Sequence, residues 1–422
     1  MAESGGAAAP GGEKERRDGG ARGRRVVRRT TGMAAVAALA LVGASACSSG
    51  GSGGSASQQM KVSDAKISVA FSKASDGGVA TDKPVKLNVT GGTLASVTVA
   101  DSQGDPVAGT LKSGTWTPTS PLGTGAKYVL RASATSGSGT KPKVDRISFT
   151  TESPGSDSQM LLDSISPAKD SVVGVAQPVS IIFSTPVAES ARAAIEKQIK
   201  ITTSNGTTGA FHWFGDSRVD WRPQNYWQTG TKVTVAADFN GVSDGNGRLG
   251  IHDYVHHFTV GSDVRVVDDI NSHQMKVYNG GKLVRTMASD AGRPGMSTWT
   301  GTMAIIDKQP TVHMTSCSVG IACSKSDPNY YDLSLPWDLH LTYSGTYIHY
   351  STGDTDPGSD NSSHGCIHLA LADAKWLYGY VKPGDPVTVN GSGDKAAADN
   401  GFADWNMSWS QWKTGSSAAY NA

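Results

Sequence analysis

Residues 347–369 read Y-I-H-Y-S-T-G-D-T-D-P-G-S-D-N-S-S-H-G-C-I-H-L. A short apolar run, Thr346-Tyr347-Ile348, ends on His349, and sixteen residues rich in Gly, Ser and Asp separate that histidine from Cys366, which directly follows His364 and Gly365. A free thiol has a pKa of about 8.5 and is only a few per cent thiolate at neutral pH, so a cysteine that attacks carbon needs a base beside it. A strand would hold the His349 imidazole rigidly, while the turn at His364 and Gly365 leaves backbone N–H groups to face an oxyanion. The stretch therefore predicts Cys366 as nucleophile, His349 as base, and the Gly365–Cys366 turn as anion cradle.

The flanks of this stretch read as a mostly β domain over residues 263–390. Residues 264–267 and 274–278 have strand composition, and Asn279-Gly280-Gly281 is a hairpin turn into a strand at 282–286. Residues 370–381 form the one clear helical pattern, with Leu371, Ala374, Leu377 and Tyr378 on one stripe and Pro383 ending it, before a strand at 387–389. A polar segment between Cys323 and Trp337 has the length of a flap over the thiol, which would exclude water on closing. In the extension 391–422, Trp405, Trp409 and Trp412 have the spacing of one helix face and are expected to dock on the catalytic domain.

Upstream, residues 61–152 alternate short β-branched runs (66–71, 85–89, 95–99, 127–130, 146–149) with turn clusters, the pattern of an immunoglobulin-like sandwich. A Ser/Pro/Gly linker leads to a second unit of the same type, 159–261, with plain strands at 179–183 and 232–235. Trp213, Trp221 and Trp227 in it read as core and sheet packing, with a carbohydrate platform as the alternative. Of His252, His256 and His257, helical spacing would bring His252 and His256 together around an ion, but the alternation of Tyr254, His256, Phe258 and Val260 makes the segment a strand that points the histidines along a sheet. The expected architecture is thus mainly β: two immunoglobulin-like β-sandwich domains, then a mostly β catalytic domain with one helix and a Trp-rich C-terminal extension.

Residues 1–32 hold eight Lys/Arg against four Asp/Glu, followed by an apolar run from Met33 to Leu41 and small residues up to Cys47. This is a secretory signal, residues 1–46, too short to span a bilayer, where a helix needs about 20 residues. Small residues before Cys47 and the Gly/Ser run after it resemble a bacterial lipobox with its tether (47–60), which makes Cys47 the lipidation site and places the protein on the outer face of the cell membrane. The alternative is an ordinary secretory signal. Loss of the first 32 residues, which carry +4, turns the whole-chain charge of +1 into −3, so no basic surplus exists to bind nucleic acid. With Cys47 and Cys366 accounted for, Cys317 and Cys323 remain as a disulfide pair in a compartment where such bonds persist.

The motif Ser363-His364-Gly365-Cys366 preceded by His349 resembles the L,D-transpeptidases with the YkuD-type catalytic domain. The resemblance implies that Cys366 is the nucleophile, His349 the base, and His364 and Gly365 part of the oxyanion site. It places Tyr331 and Ser363, with His349 and His364, along the substrate. Two residues after the cysteine that family often has Asn or Arg; here the residue is His368. By resemblance the donor is a peptidoglycan tetrapeptide stem, acylating Cys366 through its third residue and releasing D-alanine. His349 protonates the departing amine and then deprotonates the side-chain amine of an acceptor stem. The same resemblance implies acylation by carbapenems, and neither metal nor cofactor enters the chemistry. Water as acceptor, which makes a carboxypeptidase, and a wall-binding lipoprotein with an impaired catalytic domain are the competing readings.

Overall fold

The computed structural model describes residues 60–137, 139–391 and 393–417; the expected signal segment, the Cys47 site and the tether to residue 59 lie outside them. In the first sandwich, strands Lys66–Ala70, Val85–Thr90, Thr115–Pro118 and Gly109–Lys112 form one sheet in that order. The facing sheet contains Thr93–Asp101, Lys127–Thr135 and Lys143–Thr150. Along Lys127–Thr135 the side chains of Tyr128, Leu130, Ala132 and Ala134 are buried and their neighbours point outward, the two-residue period of a half-buried strand.

The second sandwich also has two four-stranded sheets, with Val179–Phe183 and Arg218–Pro223 paired at its centre. Trp213, Trp221 and Trp227 are all buried there: Trp213 stacks on Phe183, Trp221 meets Trp227, and Trp227 Nε1 donates to the Gln177 carbonyl. The packing reading of these tryptophans holds. His252, just before strand Asp253–Val260, meets Tyr254 edge to face, while in the strand His256 lies by the Pro167 carbonyl and His257 by Thr234. A helix not expected from sequence, α1 (Glu189–Gln198), packs on this core through Ala191 and Ile195. So narrow an apolar stripe in a charged decapeptide gives little periodic signal.

The third unit is a single nine-stranded sheet. Its strands are β1 (Val264–Asp269), β2 (Gln274–Asn279), β3 (Lys282–Asp290), β4 (Gly301–Ala304), β5 (Asp307–Thr315), β6 (Asp332–His340), β7 (Tyr347–Tyr350), β8 (Ile367–Leu369) and β9 (Pro386–Asn390). They lie in the order β4-β9-β1-β2-β3-β8-β7-β6-β5. Gly280 and Gly281 both take positive φ, 55° and 78°, as the two-residue turn between β2 and β3 requires. The helix α2 (Leu371–Tyr380) buries Ala374 and Leu377 against the sheet, whereas Leu371, expected on the same stripe, is 49% exposed.

The tail departs from expectation. Trp405 lies in a single 3-10 turn, Asp404–Asn406, and the helix α3 (Trp409–Lys413) starts afresh at Ser408, whose hydroxyl and Gln411 form a reciprocal cap. The three tryptophans therefore do not share one helix face. The tail does pair with the catalytic sheet, through the Ala304–Phe402 bridge and the Thr302 N–H to Asn406, but it also packs on the second sandwich. Trp412 is fully buried there, stacks on His212 and donates to the Ala210 carbonyl, while Trp405 donates to the Ala176 carbonyl. Arg222 lies over the rings of Trp405 and Trp412 at 4.5 and 4.4 Å. Buried Arg218 pairs with Asp220 and holds the Asp399 and Gly401 carbonyls of the tail. Sandwich and sheet also meet directly: the Gly174 and Ala176 N–H groups donate to the Pro383 and Gly384 carbonyls, and a Cβ on Gly174 would lie 2.1 Å from the Asp385 nitrogen. Only glycine fits that approach.

Candidate active site

Strands β7 and β8 pair in parallel, with Ile348 opposite Ile367, His349 opposite His368 and Tyr350 opposite Leu369. Ile348, Ile367 and Leu369 are buried in the core of the sheet. The two-residue period then turns His349, Cys366 and His368 to the other face, where all three line one cavity of about 280 Å³. A larger open concavity of about 1000 Å³ on the first sandwich, between Phe71, Lys73 and Lys127, contains no cysteine or histidine.

Parallel neighbours need a long crossover, and here residues 351–366 supply it without a helix. Its hydrogen bonds go to the end of β3: Asp290 accepts the Gly358 and Asp360 N–H groups, and Asn361 accepts from Ala291 N–H. Ser363 exchanges backbone bonds with Ala291 and Arg293. Thus the loop bearing the thiol is fixed to a core strand.

His349 is 2% exposed, and its Nδ1 lies 2.9 Å from the Tyr350 carbonyl. A carbonyl can only accept, so Nδ1 carries the proton and Nε2 is left as the basic nitrogen. Burial, with His368 nearby, pulls His349 down to about 4. Burial pushes the Cys366 thiol up to about 11, and its Sγ lies 3.6 Å from the Gly345 carbonyl. The resting pair is a neutral thiol and a neutral imidazole.

Ser363 Oγ donates to the Cys366 carbonyl at 2.6 Å and accepts the Gly365 N–H at 3.0 Å. This corrects the role expected of Gly365: its amide is already engaged and is not free for an oxyanion. Its contribution is conformational, at φ 117°. His364 Nε2 faces Arg293 at 3.0 Å, and since guanidinium only donates, neutral His364 carries its proton on Nδ1. Burial, then Arg293, lowers the His364 pKa. Tyr331 packs on this ring at 5.2 Å, and burial pushes its phenol up to about 12, so it is a neutral wall of the cavity.

The covering segment is larger than expected. It is the β5–β6 hairpin, whose Met314, Leu333 and Leu335 line the cavity with Tyr331. Trp337, expected to take part, instead packs on Tyr378 of α2. Cys317 and Cys323 are bonded in the hairpin tip, and Ser316 ties that ring to Tyr331 through its backbone N–H and its hydroxyl. Two acids were not singled out from sequence. Asp354 holds His368 Nδ1 at 2.9 Å, and buried Asp338 accepts the Val312 N–H. Asp338 is pushed up to about 7 by burial. Neither acid has a local motif: Asp354 is brought to His368 by the crossover loop, and Asp338 is placed by the pairing of β6 with β5.

The chain is similar in sequence to known proteins. Residues 263–389 match the family model of the L,D-transpeptidase catalytic domain, and residues 76–243 that of a bacterial Ig domain. L,D-transpeptidase 2 of Mycobacterium tuberculosis (strain CDC 1551 / Oshkosh) is 34% identical over 365 residues, 85% of this chain and 87% of the relative. L,D-transpeptidase 1 of Mycobacterium tuberculosis (strain ATCC 25618 / H37Rv) is 35% identical over 229 residues, 54% of this chain and 84% of the relative. A solved structure of the LD transpeptidase LdtMt1 in complex with imipenem is 34% identical, covers 54% of this chain and 98% of its own, and superposes with a TM-score of 0.46. By the extent and identity of the first of these matches, the chain belongs to the L,D-transpeptidase family.

Proposed function

We propose that the protein cross-links peptidoglycan by cysteine acyl transfer. Cys366 Sγ attacks the carbonyl of the third residue of a donor tetrapeptide stem as its proton moves to His349 Nε2. The oxyanion is met by the Cys366 amide and the His364 Nδ1–H, and His349 returns the proton to the departing D-alanine amine. The thioester then passes to the side-chain amine of an acceptor stem. Convergence of Cys366, His349 and His364 on one cavity carries this reading. The lining of Tyr331, Leu333 and Leu335 supports an acyl-enzyme shielded from water. Incubation with tetrapeptide and a stem amine, followed by mass spectrometry, tests it: a cross-linked dimer is expected. Tripeptide alone would mean that water is the acceptor and the enzyme a carboxypeptidase.

We also propose export and anchoring through a lipid on Cys47, supported by the charged start, apolar run and Gly/Ser tether of the sequence. The first sandwich then serves as a spacer between membrane and wall.

A further inference from the structure

We propose that His368, held by Asp354, is the general base for the incoming amine, leaving His349 to serve the thiol; this deepens the acyl-transfer reading and rests on it. His368 stands in β8 two residues after Cys366, which directly precedes the strand, and lines the same cavity. Its Nδ1 lies 2.9 Å from Asp354 Oδ2, with the side chains 12% and 13% exposed. Asp354 is itself set by a backbone bridge to Ser351. A carboxylate only accepts, so Nδ1 carries the proton, and Nε2 has no hydrogen-bond partner among the described residues.

The two imidazoles meet edge to face, 5.1 Å between ring centres, and differ in what holds them. His349 is anchored by the Tyr350 carbonyl in a buried position, His368 by a carboxylate at the cavity wall. A carboxylate beside a ring stabilises the positive charge that the ring gains on taking a proton, and a carbonyl does so less. The other groups facing His368 are engaged. Asp290, opposite it on β3, is taken by His273 and by the Gly358 and Asp360 N–H groups, and His364 is taken by Arg293.

The acceptor's chemistry calls for such a base. A primary side-chain amine is an ammonium at neutral pH, with a pKa of about 10.4, and must lose one proton to water before attack and another as the C–N bond forms. The second goes to His368 Nε2. The C–S bond then breaks with its electron pair returning to Sγ, and the thiolate takes one proton from the His368 imidazolium, directly or through solvent, which restores both groups.

The test uses the purified protein and the variants His368→Gln and Asp354→Asn, with two steps measured apart. Acylation of Cys366 by imipenem is followed by intact mass; transfer is followed from the donor-loaded enzyme to an acceptor-stem amine between pH 6 and pH 9.5. Acylation is expected to slow far less than transfer, and a circular-dichroism spectrum like that of the wild type shows that the variants fold. Transfer by His368→Gln is expected to fall about 10²-fold at pH 7, with the deficit narrowing as pH rises and hydroxide replaces the lost base. Equal slowing of both steps, or unchanged transfer, would overturn the assignment. Failure of the wild type to load Cys366 at all would overturn the acyl-transfer reading beneath it.

Discussion

Ser363 and Cys366 are joined within one turn: the Ser363 hydroxyl donates to the Cys366 carbonyl and accepts the N–H of the intervening Gly365. The bond fixes the backbone that carries the Cys366 thiol. Ser363→Ala leaves a buried N–H and a buried C=O short of partners, at about 1–3 kcal/mol. Acylation by a carbapenem is expected to slow at least tenfold in Ser363→Ala and to be largely kept in Ser363→Thr; equal rates in the two variants would contradict this role.

The neutral resting pair has a signature in pH. With the thiol near 11 and His349 near 4, iodoacetamide should label Cys366 slowly at neutral pH, with a rate that climbs through pH 9 without a plateau. A thiolate–imidazolium pair would instead give a plateau from acid pH upward, and finding one would refute the neutral assignment.

His349 also links stability to pH. Its folded pKa lies below that of the unfolded chain, so between about 6.5 and 4 the unfolded chain binds more protons. Its contribution is complete above 6.5 and is lost as pH falls toward 4, on the order of 3 kcal/mol in all. The stability difference between wild type and His349→Asn, measured by urea unfolding from pH 7.5 to pH 4, should shift against the wild type by that order as the pH falls. A difference independent of pH would contradict the buried neutral imidazole.

The tail makes one body of the second sandwich and the catalytic sheet. Trp412→Ala removes a fully buried ring from the His212 and Arg222 contacts and should cost about 3–5 kcal/mol, splitting one calorimetric transition into two. For the same reason the spacer idea is tested by deleting residues 60–152 alone, since removal of the second sandwich would expose Trp405 and Trp412. The shortened protein should keep its transfer rate in solution and lose cross-linking in cells; equal loss in both assays would count against a spacer.

That Cys366, His349 and His364 meet at one cavity was legible because order, spacing and residue chemistry lie within one continuous stretch, Tyr347 to Leu369. The sandwich strands were legible because half-buried strands alternate. What escaped was set partly by distant contacts and partly by local features with no strong sequence signal. Asp354 meets His368 only after the crossover closes, and Gly365 loses its free amide to a hydroxyl two residues away. The i, i+4, i+7 spacing of the tail tryptophans described a helix that the Ser408 cap begins three residues after Trp405. In α1, a stripe of Ala191 and Ile195 gave too little apolar period to outweigh its charged neighbours.

The central claim is that a single thiol, Cys366, carries the acyl group and is served by His349. Intact-mass analysis after incubation with imipenem tests it most directly. The account predicts one adduct per chain, mapped to Cys366, absent in Cys366→Ser and formed at least 10²-fold more slowly in His349→Asn. An adduct that persists in Cys366→Ser, or one whose rate ignores the loss of His349, would contradict it.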